Sequence, residues 1–218
     1  MTAELVDPTL ELALKLGSGF CWTLAYILII RRGWKDKSYG MPVVALGANL
    51  AWEFLFSWIL PHKSPQLEVN RIWLMFDLVI LWQAIRYGSA EQRHPWLRKN
   101  FYPLLACAVV GGFLAVNGIT REFNDFDGMY AAFGQNLMMS ILFCAMLLNR
   151  NEMRGQSMWI AMAKMVGTIL PSILFYLKYP HSSLLLFLFV GTLLADIVYA
   201  AMLHGKIRSQ GASPWKRF

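Results

Sequence analysis

Seven long apolar stretches follow one another along the chain and limit its fold more than any other feature of the sequence. Each is close to the roughly 20 residues that an α-helix needs to cross a bilayer. They cover residues 14–31, 41–60, 70–86, 101–118, 128–149, 158–178 and 184–204. Composition agrees, because only 15% of the residues are charged, against about 25% in an ordinary soluble domain. The sequence therefore predicts an all-α, polytopic membrane protein built as a bundle of seven transmembrane helices.

The connections between the apolar stretches are short and leave no room for a separate soluble domain. We therefore expect a single seven-helix transmembrane domain over residues 1–205. A basic cytoplasmic tail over residues 206–218 follows, and we expect it to be poorly ordered and to contact the membrane surface. The three cysteines lie in different stretches without a CxxC pair, so the sequence predicts no metal site, and we expect no other cofactor.

Basic residues are divided unequally between the two sides of the predicted bundle. Fourteen Lys and Arg residues fall on the side of the C-terminus and five on the other side. Because cytoplasmic loops are enriched in Lys and Arg, we expect the C-terminus in the cytoplasm and the N-terminus outside, in a bacterial cell membrane or an ER membrane. The net charge of +7 then reflects topology, and we expect no nucleic-acid partner. Lys164 lies inside a span, and we expect it to snorkel to the cytoplasmic surface.

Three acidic residues lie inside apolar stretches, namely Glu53, Asp77 and Asp196. An acid within a membrane span is expensive and usually functional. The structural alternative is a hydrogen bond that holds two helices together. Glu53 and Asp77 fall about 10 Å below the outer ends of their helices, and Asp196 lies nearer the middle. These depths allow one shared cavity, in which all three carboxyls are candidate catalytic groups.

Each acid has polar or aromatic neighbours at helical spacing. Asn49 lies four residues before Glu53, and we expect its amide to hydrogen-bond one oxygen of that carboxyl. Trp73 stands four residues before Asp77, and Tyr199 follows three residues after Asp196. The side chains that we expect to line a substrate site beside the acids are Asn49, Trp52, Phe56, Trp73, Phe133, Asn136 and Tyr199.

Acids and aromatic rings in an oily interior suit two kinds of function. Desolvation favours the neutral form of a buried carboxyl, which can then donate a proton. Electron-rich ring faces stabilise a nearby cation. The same groups therefore serve carbocation chemistry on a lipid-like polyene or a proton relay in a transporter, and these physical arguments alone do not choose between the two.

Four short motifs resemble one family across the length of the chain. They are GANLAWEF at 47–54, RIWLMFD at 71–77, GQNLMMSILF at 134–143 and the DxxY of Asp196 and Tyr199. Together they resemble the small integral-membrane terpene cyclases of fungal meroterpenoid and indole-diterpene pathways and of bacterial drimentine-type pathways. The resemblance implies seven helices, with Glu53 and Asp196 important for cyclisation and Asp77 in a supporting role.

The resemblance also implies a reaction. The prenyl chain of a prenylated acceptor, farnesyl or longer, is cyclised after protonation of an alkene or a terminal epoxide, without a metal-diphosphate step. A prenyltransferase or a flavin epoxidase would act upstream. The chain has neither the DDxxD nor the DxDD motif of soluble cyclases, so the acid must come from elsewhere, and Glu53 is our candidate. The alternative is a small seven-helix proton-coupled transporter or carrier, although Pro42, Pro103 and Pro171 lack the pairing expected of two helical repeats.

Overall fold

The computed structural model describes residues 4–218, and all regular secondary structure in that range is helical. Seven long helices and one short one follow the chain, and each predicted apolar stretch coincides with a long helix. The helices are α1 (Pro8–Asp36), α2 (Val43–Phe54, continued by a π-helical turn, Leu55–Ile59), α3 (Gln66–Glu91), the short α4 (Pro95–Lys99), α5 (Phe101–Glu122), α6 (Met129–Arg150), α7 (Met158–Lys178) and α8 (Ser183–Ser209). The all-α prediction is confirmed.

Five of the long helices are individually long and apolar enough to cross a membrane, namely α1, α5, α6, α7 and α8. Helix α2 with its π-helical turn is also apolar but shorter. Helix α3 is less apolar because it carries Asn70, Asp77 and Gln83, and these three side chains are fully buried in the bundle. The structure thus supports an integral membrane protein, and the crossing of the bilayer by all seven helices stays a prediction.

Side-chain caps mark the beginnings of several helices. Asp7 accepts hydrogen bonds from the backbone N–H groups of Thr9 and Leu10 at the start of α1. At the start of α6, the Asp125 carboxylate accepts from three successive backbone N–H groups, those of Met129, Tyr130 and Ala131. Such caps satisfy amides that have no partner within the helix, so polar side chains at these points fix where the helices begin.

Helices α2 and α5 cross with their backbones in close contact. A Cβ atom added to Gly47 would lie 2.3 Å from the carbonyl oxygen of Ala108, and one added to Gly112 would lie 2.6 Å from the backbone of Gly47. Only glycine fits at both positions, because the obstacle is backbone that cannot move aside. This contact holds α2, which carries Glu53, firmly against its neighbour.

The basic end of the bundle, where α1, α3, α6 and α8 end, is held together by ion pairs. Arg150 forms a salt bridge of 2.8 Å with Glu91 and lies over the ring of Tyr39. Asp36 pairs with both Arg32 and Arg217 and also accepts the backbone N–H of Gly155. These contacts tie several helix ends and loops together at one end of the bundle.

The tail is packed, which corrects our expectation that it would be poorly ordered. Helix α8 continues to Ser209, and the last residues fold back onto the basic end. Arg217 donates to Asp36 and to the carbonyl oxygens of Gln156 and Met153. The indole of Trp159 donates to the carbonyl of Trp215. The basic and aromatic residues that suggested membrane contact are therefore used, at least in part, for contacts within the protein.

The glycine contact predicts an asymmetry between two neighbouring residues of α5. Gly112→Leu forces α2 and α5 apart and should destabilise the protein by about 1–3 kcal/mol, the usual cost of overpacking. Gly111→Leu is the matched control, because a Cβ at Gly111 meets nothing within 4 Å. The measurement is the fraction of monodisperse protein that survives heating in detergent, and equal survival of the two variants would contradict the packing described.

Candidate functional site

Two of the three predicted acids lie in one buried polar centre between α1, α2 and α3. The Tyr26 hydroxyl lies 3.3 Å from Oδ2 of Asp77 and donates to it. The same hydroxyl accepts a hydrogen bond of 2.9 Å from the Asn49 amide. Glu53 lies near enough to Asp77 and Tyr26 for its charge to interact with both. We call these four residues the Glu53 centre.

The Glu53 carboxyl makes no hydrogen bond to any of residues 4–218. Its side chain is 4% exposed, and its buried Oε2 has no partner in that range. The expectation that Asn49 would bond to Glu53 is wrong, because the Asn49 amide turns to Tyr26 on the neighbouring helix instead. The Glu53 carboxyl is thus held by packing rather than by a hydrogen bond.

The Glu53 centre lacks a cation in the part of the chain that the structure describes, since no salt bridge there reaches Glu53 or Asp77. Taking an unpaired carboxylate out of water costs several kcal/mol, and two carboxylates side by side also repel each other. The lower-energy arrangement therefore keeps a proton on the centre. Such a centre is a carboxylic acid in an apolar environment.

The third acid, Asp196, lies in a different polar centre, formed by α6, α7 and α8. Oδ1 of Asp196 is 2.7 Å from the Lys164 amine, which also donates to the Ser140 hydroxyl at 2.6 Å. We call these three residues the Asp196 centre. Lys164 is only 2% exposed. The expectation that it snorkels to the surface is therefore wrong, because its amine finds a carboxylate inside the bundle.

Asn136 extends the Asp196 centre along α6 and α7. Its amide donates to the Thr168 hydroxyl at 2.9 Å, and that hydroxyl donates to the carbonyl of Lys164. The Ser140 hydroxyl in turn donates to the carbonyl of Asn136. Buried Oδ1 of Asn136 has no partner among the described residues and is a free acceptor beside the centre.

The remaining substrate-binding candidates fall into four aromatic groups, of which the first three are those of Trp73, Tyr199 and Phe133. Trp73 packs 6.1 Å from the ring of Tyr26, next to the Glu53 centre. Tyr199 packs against Phe143, and its hydroxyl donates to the Gln156 side chain towards the basic end. Phe133 belongs to a separate apolar cluster with Phe175 and Phe189 near the opposite end.

Trp52 and Phe56 contact loop residues at the end of the bundle away from the basic end. The Trp52 indole donates to the carbonyl of Gly128 at 3.0 Å, and the Phe56 ring stacks on the His62 imidazole. Gly128 has a positive φ of 68°, and a Cβ there would collide with both Phe56 and Trp52. Burial in this loop lowers the pKa of His62. The π-helical turn directly after Phe54 changes the helical register, so a different set of residues in this segment faces the interior of the bundle.

The hydrogen bonds define two centres rather than one cluster of three acids. One hydrophobic core includes Tyr26 of the Glu53 centre, and its other members include Leu50, Met139, Phe143 and Tyr199. Two apolar grooves of about 460 and 500 Å³ lie on the outer surface between α1 and α3, and neither is lined by a predicted acid. Within residues 4–218, no three His, Cys, Asp or Glu side chains are placed to hold a metal ion.

The sequence interpretation missed Tyr26 and Lys164 of these centres, and also His62 beside Phe56. Tyr26 has no sequence signal beyond its position in an apolar stretch. His62 is visible only as a loop histidine before Asn70, its hydrogen-bond neighbour. Lys164 could have been found from the sequence. A basic and an acidic residue that both lie inside apolar stretches usually form an ion pair with each other.

The comparison with known families agrees with this architecture. A family model described as Pyr4-like transmembrane terpene cyclases matches residues 7–208. The chain therefore belongs to the Pyr4-like transmembrane terpene cyclases. This membership supports an enzyme and gives no support to the carrier alternative. No solved structure is detectably similar to the chain.

Individual relatives are fungal proteins of moderate similarity. The chain is 33% identical over 194 residues to the Pyr4-family terpene cyclase mfmH of Annulohypoxylon moriforme, covering 84% of this chain and 80% of that protein. It is 29% identical over 178 residues to terpene cyclase pyr4 of Aspergillus fumigatus, covering 76% and 70%. It is 26% identical over 219 residues to asnovolin H synthase nvfL of Aspergillus novofumigatus, covering 91% and 88%.

The Tyr26 hydroxyl predicts a measurable loss of stability. Tyr26→Phe leaves the buried amide of Asn49 and the buried carboxyl of Asp77 without their shared partner, and should cost about 1–3 kcal/mol. Tyr102→Phe is the control, because the Tyr102 side chain is exposed. Thermal unfolding in detergent measures both variants. If Tyr26→Phe were as stable as Tyr102→Phe, the hydroxyl would not hold the Glu53 centre together.

Proposed function

We propose that the protein cyclises the prenyl chain of a prenylated small molecule by protonating its terminal alkene or terminal epoxide, with Glu53 as the proton donor. The observation that carries this proposal is the Glu53 centre, in which two buried carboxyls lie without a cation among the described residues. Family membership supplies the reaction class, and the centre supplies an acid of the required kind.

The proposed chemistry begins with the transfer of the Glu53 proton. The proton goes to the terminal carbon of the alkene, or to the epoxide oxygen whose C–O bond then breaks. The resulting carbocation is attacked by the next double bond along the chain, so that each ring closure moves the charge onward. The rings of Tyr26, Trp73 and Phe143 offer π faces that stabilise such a cation. Exclusion of water protects the cation from premature capture.

We assign the other members of the centre to positioning. Asp77 is fully buried within range of the Glu53 charge, and one of its oxygens accepts from the Tyr26 hydroxyl, which Asn49 holds in turn. A second carboxyl at this place makes ionisation of both acids unfavourable and so helps Glu53 to retain its proton. Trp52 and Phe56 lie near Glu53 along the chain and pack against each other in a separate apolar cluster.

The proposed substrate is a prenylated acceptor with a farnesyl or longer chain, of the kind made in fungal meroterpenoid, indole-diterpene or bacterial drimentine-type pathways. The apolar interior of the bundle supports a lipid-like substrate. A prenyltransferase, and for epoxide substrates a flavin epoxidase, would act upstream. We propose no metal or other cofactor for the protonation.

For the topology we propose seven membrane-spanning helices, counting α2 and its π-helical turn as one. The N-terminus would then lie outside and the C-terminus in the cytoplasm, in a bacterial cell membrane or an ER membrane. The 14-to-5 asymmetry of basic residues supports this orientation.

Removal of the transferable proton tests the proposal. Glu53→Gln keeps the shape of the side chain, so we expect folded protein but nearly complete loss of cyclisation, by at least about 10²-fold. Membranes containing the variant are incubated with farnesylated acceptors, with and without the terminal epoxide, and products are identified by mass spectrometry. Glu122→Gln, in an exposed position, is the control. A folded Glu53→Gln protein that cyclises at the normal rate would refute Glu53 as the donor.

The orientation predicts the position of reporters fused to the chain. A reporter fused after Phe218 should read as cytoplasmic, and a reporter at the N-terminus should read as external, because the basic loops are retained on the cytoplasmic side. Paired phosphatase and fluorescent-protein fusions measure this. An external reading for the Phe218 fusion would reverse the topology.

A further inference from the structure

The Asp196 centre contains a buried ion pair that the proposed protonation step does not use. Lys164 and Asp196 are 2% and 3% exposed and lie on adjacent helices, α7 and α8. Burying two charges costs several kcal/mol for each ion, and a well-packed apolar pair of similar size often stabilises a protein as well or better. Helix packing alone therefore gives no reason for a lysine and a carboxylate at this depth.

The geometry leaves one oxygen of the carboxylate free. Lys164 donates to Oδ1 of Asp196 at 2.7 Å and to Ser140 at 2.6 Å. Oδ2 of Asp196 is buried and accepts no hydrogen bond from any of the residues that the structure describes. An ammonium group in direct contact favours the ionised carboxylate. The centre therefore offers a charged oxygen to the interior, held in place through its other oxygen.

The two centres thus have opposite character. Glu53 and Asp77 share one buried centre, and neither forms a salt bridge with a described residue. Because no cation balances a negative charge there, this arrangement favours keeping a proton. Asp196, by contrast, is held in an ion pair with the Lys164 ammonium. The titratable neighbour Cys144 on α6 has its thiol directed to the carbonyl of Ala195, and the Tyr199 hydroxyl is directed to Gln156. Lys164 is accordingly the group that sets the charge of Asp196.

We propose, building on the proposed function, that Asp196 is the base that ends the cyclisation and that Lys164 is the positioning residue that keeps it ionised and aimed. In the last step, a C–H bond next to the final carbocation breaks. Its electron pair becomes the new C=C bond, and the proton joins Oδ2 of Asp196. Cation and carboxylate become a neutral alkene and a neutral acid. Through water, the proton returns to the Glu53 centre before the next turnover, so the net reaction is an isomerisation.

Separate centres give the acid and the base different positions along the substrate. The main hydrophobic core includes Tyr26 of the Glu53 centre, Leu50 and Phe143, and also Met139, which precedes Ser140 of the Asp196 centre. A chain lying along this core would have its terminal double bond or epoxide at the Glu53 centre and its last ring at the Asp196 centre. The position of Oδ2 then selects which hydrogen leaves, and so which alkene isomer forms.

The fate of the final cation tests this role. Without an ionised Asp196, initiation still occurs, but water captures the cation in place of deprotonation. In H₂¹⁸O, we expect Lys164→Met to convert substrate while the normal alkene falls by about 10²-fold relative to ¹⁸O-labelled alcohols. Wild-type protein should give unlabelled alkene, and Lys164→Arg should restore much of it. A folded Lys164→Met protein with the normal product ratio, or with no conversion at all, would overturn the proposal.

Two further variants separate a base from a structural ion pair. Lys164→Met combined with Asp196→Asn has no buried charge at this place, so it folds even where a single variant does not, and it should show the same labelled alcohols. The charge swap Lys164→Asp with Asp196→Lys rebuilds an ion pair with the carboxylate on the wrong helix, and should also fail to form the normal alkene. Normal product from either double variant would show that the pair only joins helices.

A control on the same helix accompanies these variants. Lys178 forms a salt bridge of the same 2.7 Å length with Glu11 but is 22% exposed, and Lys178→Met should give the normal product. Failure of the base role can be told apart from failure of the proposed function. The proposed function fails if Glu53→Gln still converts substrate, whereas the base role concerns only the ratio of unlabelled alkene to ¹⁸O-labelled alcohol.

Discussion

The structure depends on how an oily bundle accommodates buried carboxyl groups. An ionised acid in this interior needs a cation, and an acid without one keeps its proton. Both solutions occur in this bundle. Asp196 is ion-paired with Lys164, whereas neither Glu53 nor Asp77 forms a salt bridge with any of the described residues. In the proposed mechanism, the placement of a single lysine therefore distinguishes the proton acceptor from the proton donor.

The rest of the bundle holds these groups in place. Close backbone contact at Gly47 and Gly112 fixes α2 against α5, and thereby the helix that carries Glu53. Arg150 and Asp36 join helix ends and loops at the basic end, which leaves little freedom for the helices to slide. Rigid placement matters for a carbocation reaction, because ring closure follows the conformation in which the chain is held.

The sequence predicted the elements and the acids, but not their partners. Apolar length is a property of a continuous segment, so all seven long helices were predicted. Hydrogen-bond partners depend on how helices rotate against each other, and spacing within one helix does not reveal that. Asn49 therefore bonds to Tyr26 rather than to Glu53, and Lys164 turns inward rather than to the surface. The packed tail was missed for the same reason, since Arg217 finds Asp36 only in the folded bundle.

Infrared spectroscopy of the protein in lipid at neutral pH can observe the proton on the Glu53 centre, because a neutral carboxylic acid and a carboxylate absorb at different carbonyl frequencies. A band from a neutral acid should be present in the wild-type protein and in Asp196→Asn. It should disappear when Glu53→Gln and Asp77→Asn are combined. A band that survives the combined change but disappears in Asp196→Asn would contradict the assignment of acid and base.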